Sequence, residues 1–129
     1  MSLGKILIVD DSEILRFEIC SILTEAGYEV VEGVDGNDGL QKAKEIEDID
    51  LIYSDYNMNG LDGLSMLQEI RKLPAHQKTK LAVLTTESSV TLKEKGREIG
   101  VLVWILKPIK KENFLAANQA IFKKIAAAS

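Results

Sequence analysis

The chain has 129 residues, 46% of them apolar and 28% charged, with a net charge of −4. That suits one domain with enough apolar material for a real core and excludes a disordered chain. No apolar run approaches the ~18 residues needed to cross a membrane, no stretch has the h-region and cleavage site of a secretory signal, and mild acidity argues against general nucleic-acid binding.

The first strand candidate is Lys5–Val9, a nearly continuous apolar run that ends in Asp10-Asp11. Ser12 is placed to cap a helix in which Leu15, Ile19, Ile22, Leu23 and Ala26 recur at spacings of three and four, with Gly27 as its stop. A second strand is expected over Tyr28–Glu32 and a second helix over Asn37–Ile46, with Leu40 and Ala43 inward. The third strand, Asp50–Ser54, leads into Asp55. A third helix follows, capped by Asp62, carrying Leu64, Leu67 and Ile70 and ending before Pro74. Lys80–Thr85 is a fourth strand. Ser88 or Ser89 can cap a fourth helix that reaches Ile99 and stops at Gly100. Leu102–Leu106 is the fifth strand, and Lys111–Ile125 the fifth helix, with Phe114, Ala117, Ile121 and Ile125 on one face. His76 is expected on a surface loop. Residues 1–4 and 126–129 have no pattern and are expected to be flexible ends of a single domain over residues 5–125. The single cysteine, Cys20, excludes an intrachain disulfide and fits a reducing cytosol.

Strands that alternate with helices, and apolar runs without polar alternation, imply a parallel sheet covered by helices on both faces. In such α/β folds functional residues gather at the carboxyl ends of the strands. Those ends carry Asp10-Asp11, Asp55, Thr85-Thr86-Glu87 and Lys107-Pro108. Three crowded carboxylates repel one another and call for a cation. A few oxygen ligands with room for water suit Mg²⁺ better than a calcium cage. A carboxylate beside a metal, a lysine and a hydroxyl is a receptor for a phosphoryl group, with an aspartyl phosphate as the product.

Ile-Leu-Ile-Val-Asp-Asp-Ser (6–12), Asp-Tyr-Asn-Met-Asn-Gly-Leu-Asp-Gly (55–63), Leu-Thr-Thr-Glu (84–87) and Leu-Lys-Pro (106–108) together resemble the CheY-like response regulator receivers of two-component signalling. The resemblance implies a doubly wound, flavodoxin-like five-stranded parallel sheet of order 2-1-3-4-5 with five helices. It implies Asp55 as phosphoacceptor, supplied by a sensor histidine kinase or a histidine phosphotransferase. It further implies Mg²⁺ on Asp11, Asp55 and the backbone carbonyl of Asn57, with Asp10 acting through a water. Lys107 would pair with the phosphoryl oxygens and Thr85 would swing in to bond them. Trp104 stands where the family usually has tyrosine, phenylalanine or histidine, and would fill the space that Thr85 vacates. Asn57 and Glu87 would tune hydrolysis of the aspartyl phosphate; their pairing resembles chemotaxis CheY and implies a short-lived signal.

Asn59 stands where many receivers have proline, Tyr53 and Ser54 make the third strand more polar than usual, and Val101 replaces the usual alanine. Residues 90–125 hold eight Lys/Arg against three Asp/Glu. That suits either a solvated helix surface or a docking face for an acidic protein target on helix four, strand five and helix five, where Lys93, Lys95, Lys110, Lys111 and Trp104 lie. The expected protein is a cytoplasmic, stand-alone CheY-type regulator without direct nucleic-acid or membrane binding. The alternative is a receiver from a longer response regulator or hybrid kinase.

Three other readings fare worse. An EF-hand loop starting at Asp55 would need a bidentate glutamate where Met66 stands, and a helix before it. An aspartyl-phosphate phosphatase of the haloacid dehalogenase type would need an acid two residues after its nucleophile on strand one, where Asp10 is followed by Ser12. A flavodoxin would need a Ser/Thr/Gly-rich phosphate loop after that strand.

Overall fold

The computed structural model describes residues 2–58, 60–86 and 89–128. In chain order the elements are β1 (Lys5–Val9), α1 (Glu13–Glu25), β2 (Glu29–Gly33), α2 (Gly36–Glu45), β3 (Leu51–Asp55), α3 (Gly63–Arg71), β4 (Lys80–Thr85), α4 (Val90–Ile99), β5 (Val101–Leu106) and α5 (Lys111–Ala128). The strands form one parallel sheet of order β2-β1-β3-β4-β5. This is the doubly wound order that the resemblance implies.

Strand periodicity divides the core into two layers. Ile6, Ile8, Leu51, Tyr53, Ala82 and Leu84 face α1 and α5, meeting Ile19, Leu23, Phe114 and Ile121. Leu7, Val9, Ile52, Leu81 and Val83 face the opposite way, onto Ala43 of α2, Leu67 and Ile70 of α3, and Leu92 and Ile99 of α4. Strands β1, β3 and β4 are thus buried on both sides, which is why they read as unbroken apolar runs. The outer strands differ. β2 and β5 each have only one neighbouring strand, and β5 leaves Leu102 and Leu106 exposed.

Helix starts follow local chemistry. Ser12, Asp35, Asp62 and Ser89 each place a side-chain oxygen on a first-turn amide, satisfying a donor that the helix itself cannot. Gly27 and Gly100 take positive φ, 103° and 101°, directly after α1 and α4, the left-handed turn that glycine adopts most cheaply. The expected cap at Ser88 lies outside the described residues; Ser89 does this work.

Several boundaries move. β2 and β3 each begin one residue later than the sequence pattern suggests: Tyr28 N bonds to Leu23 O of α1, and Asp50 N bonds to Lys5 O at the edge of the β1–β3 ladder. α2 begins at Gly36 under the Asp35 cap, and α5 continues to Ala128, beyond the end expected at Ile125. At the other end Leu3 N bonds to Gly27 O at 2.9 Å, so Leu3 is also tied to the domain. His76 is corrected outright. It is fully buried, with Nε2 2.6 Å from Ala43 O and Nδ1 3.0 Å from Thr79 Oγ1. The short helical turn Pro74–His76 carries the ring inward between α2 and the start of β4.

The polar residues of β3 find partners inside the core. Tyr53 is fully buried and donates its hydroxyl to Asn118 Oδ1 of α5 at 2.7 Å, while its ring packs against Phe114. Burial pushes its hydroxyl far above the ordinary range, so it stays a donor. Tyr53→Phe orphans a buried acceptor and is expected to cost about 1–3 kcal/mol in urea unfolding. Adding Asn118→Leu to it should recover part of that loss, because both polar partners are then gone. Cys20 lies half-buried on α1, and burial together with Glu32 pushes its thiol up to about 11. Alkylation by iodoacetamide should therefore be slow at neutral pH and accelerate as pH rises toward that value. A rate at neutral pH equal to that of a free cysteine peptide would contradict this burial.

Candidate functional site

Parallel strands place all their carboxyl ends along one rim, and three acids meet there. Asp10 follows β1, Asp11 comes next, and Asp55 is the last residue of β3. One carboxylate oxygen from each lies within 4.8 Å of the others. Asp10 is fully buried, Asp55 is nearly so, and Asp11 is exposed.

Lys107 enters this cluster from the residue after β5. Its ammonium donates to Asp55 Oδ1 at 2.9 Å and lies 3.4 Å from Asp10 Oδ2. Its peptide with Pro108 is cis. Burial alone would pull the Lys107 ammonium down, but its bond to Asp55 and the charges of Asp10 and Asp55 hold it above its usual value. Burial raises the Asp55 carboxyl above its usual range. The Lys107 bond opposes that rise, and the charges of Asp10 and Asp11 add to it. Lys107 thus sets a positive charge against two of the three acids of this rim.

Thr85 is the last residue of β4 and is buried. Its carbonyl accepts from Lys107 N at 2.9 Å, so the two expected phosphate donors sit on adjoining strand ends. Asn57 is exposed in the loop after Asp55, and Trp104 is half-buried on β5. Trp104 packs on the α4 side, where a Cβ on Gly96 would lie 2.4 Å from its ring. Glu87 and Asn59 lie outside the described residues.

The donor set fits a small hard cation. All three groups offer carboxylate oxygen, and Asp11 is open to solvent, leaving room for water ligands. Asp10 is the most occupied: Oδ1 accepts from Ser12 N at 2.8 Å and Oδ2 faces Lys107. Asp11 and Asp55 are the more available ligands.

A family model for the response regulator receiver domain matches residues 6–119. The chain belongs to the response regulator receiver family. It is 31% identical over 118 residues to a probable chemotaxis protein CheY of Rhizobium etli, covering 92% of each chain. It is 30% identical to Protein PilG of Pseudomonas aeruginosa, over 90% of this chain and 85% of that one. Among solved structures it superposes on chemotaxis protein CheY4 of Vibrio cholerae with a TM-score of 0.87 and 35% identity, covering 92% of this chain and 98% of that one.

Some residues of the receiver's site and its surroundings escape a reading of motifs. Arg16 donates to the backbone carbonyl of Asp10 at 2.7 Å, and its only sequence signal is a helix position near the acids. Ser54, within the polar stretch of β3, donates to the Asp55 carbonyl at 2.9 Å. Gly63 is the first residue of α3, and a Cβ there would lie 2.1 Å from Asp55 O and 3.0 Å from Ser54 Oγ. Its role is close approach, since its φ is not positive. Gly60, in the loop before it, does take positive φ, at 80°. Gly63→Ala should thus push the β3 end away from α3. The expected loss is about 1–3 kcal/mol of stability by denaturant unfolding, with the Asp55 and Lys107 amide resonances shifted in NMR. Unchanged stability and spectra would show that the contact relaxes freely.

Proposed function

We propose that this receiver takes a phosphoryl group on Asp55 from a phosphohistidine of a sensor histidine kinase or histidine phosphotransferase. The observation that carries the reading is the Asp55–Lys107 pair set within the Asp10, Asp11 and Asp55 cluster. An Asp55 carboxylate oxygen attacks phosphorus, the bond from phosphorus to the histidine nitrogen breaks, and the imidazole leaves with its electron pair. Mg²⁺ would be held by Asp11, Asp55 and the Asn57 carbonyl, with Asp10 bonded through a water. Its chemistry there is to neutralise phosphoryl oxygens.

Lys107 gives up one carboxylate oxygen of Asp55 and pairs with the new phosphoryl oxygens. The modification adds about −1.5 to −2 charge and three strong acceptors, and the Lys107 ammonium and the Thr85 hydroxyl are the donors that answer it. Movement of Thr85 draws Trp104 inward. Trp104 lies between β5 and Gly96 of α4, so its shift changes the face built from α4, β5 and α5. Exposed Lys93, Lys95, Lys110 and Lys111 make that face basic, which supports an acidic protein target. Similarity to CheY proteins over nearly their whole length supports a CheY-type regulator that acts by binding a partner. Asn57 and Glu87 then set a short signal lifetime.

Beryllofluoride or a small phosphodonor, added with Mg²⁺, should change the fluorescence of Trp104, the only tryptophan. The phosphodonor should also add the mass of one phosphoryl group. Asp55→Asn should show neither effect, and Thr85→Ala should be phosphorylated with little fluorescence change. Equal labelling of Asp55→Asn would overturn Asp55 as acceptor. A phosphoprotein lasting many hours at neutral pH would refute the short lifetime.

A further inference from the structure

Arg16 has no part in the chemistry described so far, yet it is one of the most constrained side chains near the acids. It sits in the first turns of α1 with its side chain 11% exposed. Nη1 donates to the carbonyl oxygen of Asp10 at 2.7 Å, and Nε donates to Glu32 Oε1 of β2 at 3.2 Å. One planar guanidinium therefore spans the end of β1, the start of α1 and the end of β2.

The atom that Arg16 holds matters. The Asp10 carbonyl belongs to the peptide plane joining Asp10 to Asp11. Fixing that oxygen fixes the orientation of the plane from which Asp11 departs. The rest of the turn is held on both sides: Asp10 N bonds to Gly33 O at 3.2 Å, and Ser12 N bonds to Asp10 Oδ1 at 2.8 Å. Asp11 itself is exposed and has no side-chain hydrogen bond or ion pair among the described residues. Its direction is inherited from the turn, which the Asp10 side chain holds at Ser12 N and Arg16 holds at the Asp10 carbonyl.

Charge makes the arrangement unusual. A guanidinium beside a cation site repels the cation, so Arg16 would weaken metal binding if charge were its only contribution. Glu32 removes that objection. It pairs with Nε and leaves the clamp nearly neutral, so that rigidity is gained without net repulsion.

We infer that Arg16, neutralised by Glu32, is a positioning residue for the divalent cation: it sets the Asp10–Asp11 peptide so that Asp11 points into the carboxylate cluster. The inference rests on the metal reading proposed above. Groups that orient ligands through a hydrogen bond commonly alter metal affinity by about 10–100-fold when removed.

The test is a titration of the full chain with MgCl₂, followed by amide NMR shifts, on wild type, Arg16→Gln, Arg16→Lys and Glu32→Gln. Thermal unfolding without Mg²⁺ is recorded for each. Arg16→Gln should weaken Mg²⁺ by about tenfold although a repelling charge has been removed. Arg16→Lys keeps the charge but loses the fork, and should also weaken it. Glu32→Gln keeps an acceptor for Nε but removes the neutralising charge at a half-exposed position; it should fold normally and weaken Mg²⁺ by about two- to threefold at low salt. Tighter or unchanged binding in Arg16→Gln, with Arg16→Lys equal to wild type, would overturn the inference and leave the metal reading intact. If both Arg16 variants fail to fold, Glu32→Gln decides: unchanged Mg²⁺ affinity there overturns it. If wild type shows no saturable Mg²⁺ response, the metal reading fails and this inference falls with it.

Discussion

All five strands run the same way, and the rest of the structure depends on that constraint. A parallel sheet cannot be closed by hairpins, so each connection must cross a face of the sheet, and here each crossing carries a helix. The helices cover both faces and divide the core into two layers. Every strand also delivers its last residue to the same rim. Asp10, Asp55, Thr85 and Lys107 come together there because of strand polarity, although they are far apart in sequence.

That rim is electrostatically costly, and the surrounding polar groups are arranged to offset the cost. Two buried carboxylates beside a third would repel strongly in a medium of low dielectric. The Lys107 ammonium is set against Asp10 and Asp55, and Ser12 N bonds Asp10. Arg16 holds the backbone of the same turn while Glu32 cancels its charge. A second arginine performs a similar backbone task away from the site. Arg71 bonds to the carbonyls of Ile99, His76, Gln77 and Thr79, tying the end of α3 to the end of α4 and to the loop before β4. Both guanidiniums act on carbonyl groups that lie outside the helix and strand ladders.

Legibility in the sequence tracked the range of the forces involved. Apolar runs, caps and stops act within a few residues, and Ser12, Gly27, Asp62 and Gly100 do what their local chemistry suggests. The strand-end residues were legible as a set because the alternating pattern put them on a common rim. Boundaries of β2 and β3 slipped by one residue because the first paired residue depends on the neighbouring strand. His76 looks like a surface residue in a polar loop, and no local signal shows that Ala43 O and Thr79 Oγ1 wait for its ring. Tyr53 and Ser54 look too polar for a central strand until their partners, Asn118 and the Asp55 carbonyl, are in place.

The sequence by itself determined the alternation of strands and helices, most helix caps, the acids, hydroxyl and lysine at the strand ends, and the family to which they belong. The alternation and the caps rest on periodicity and on chemistry between near neighbours, and the family on the four motifs at the strand ends. Tertiary structure alone decided that Lys107 bonds to Asp55, that Arg16 clamps the Asp10 carbonyl to Glu32, that Gly63 must lie against Asp55 O, and that Tyr53 meets Asn118. Most of these contacts join residues that only sheet order and helix packing bring together. Each is decided by distances of a few tenths of an ångström, and residue spacing along a chain holds no information at that scale.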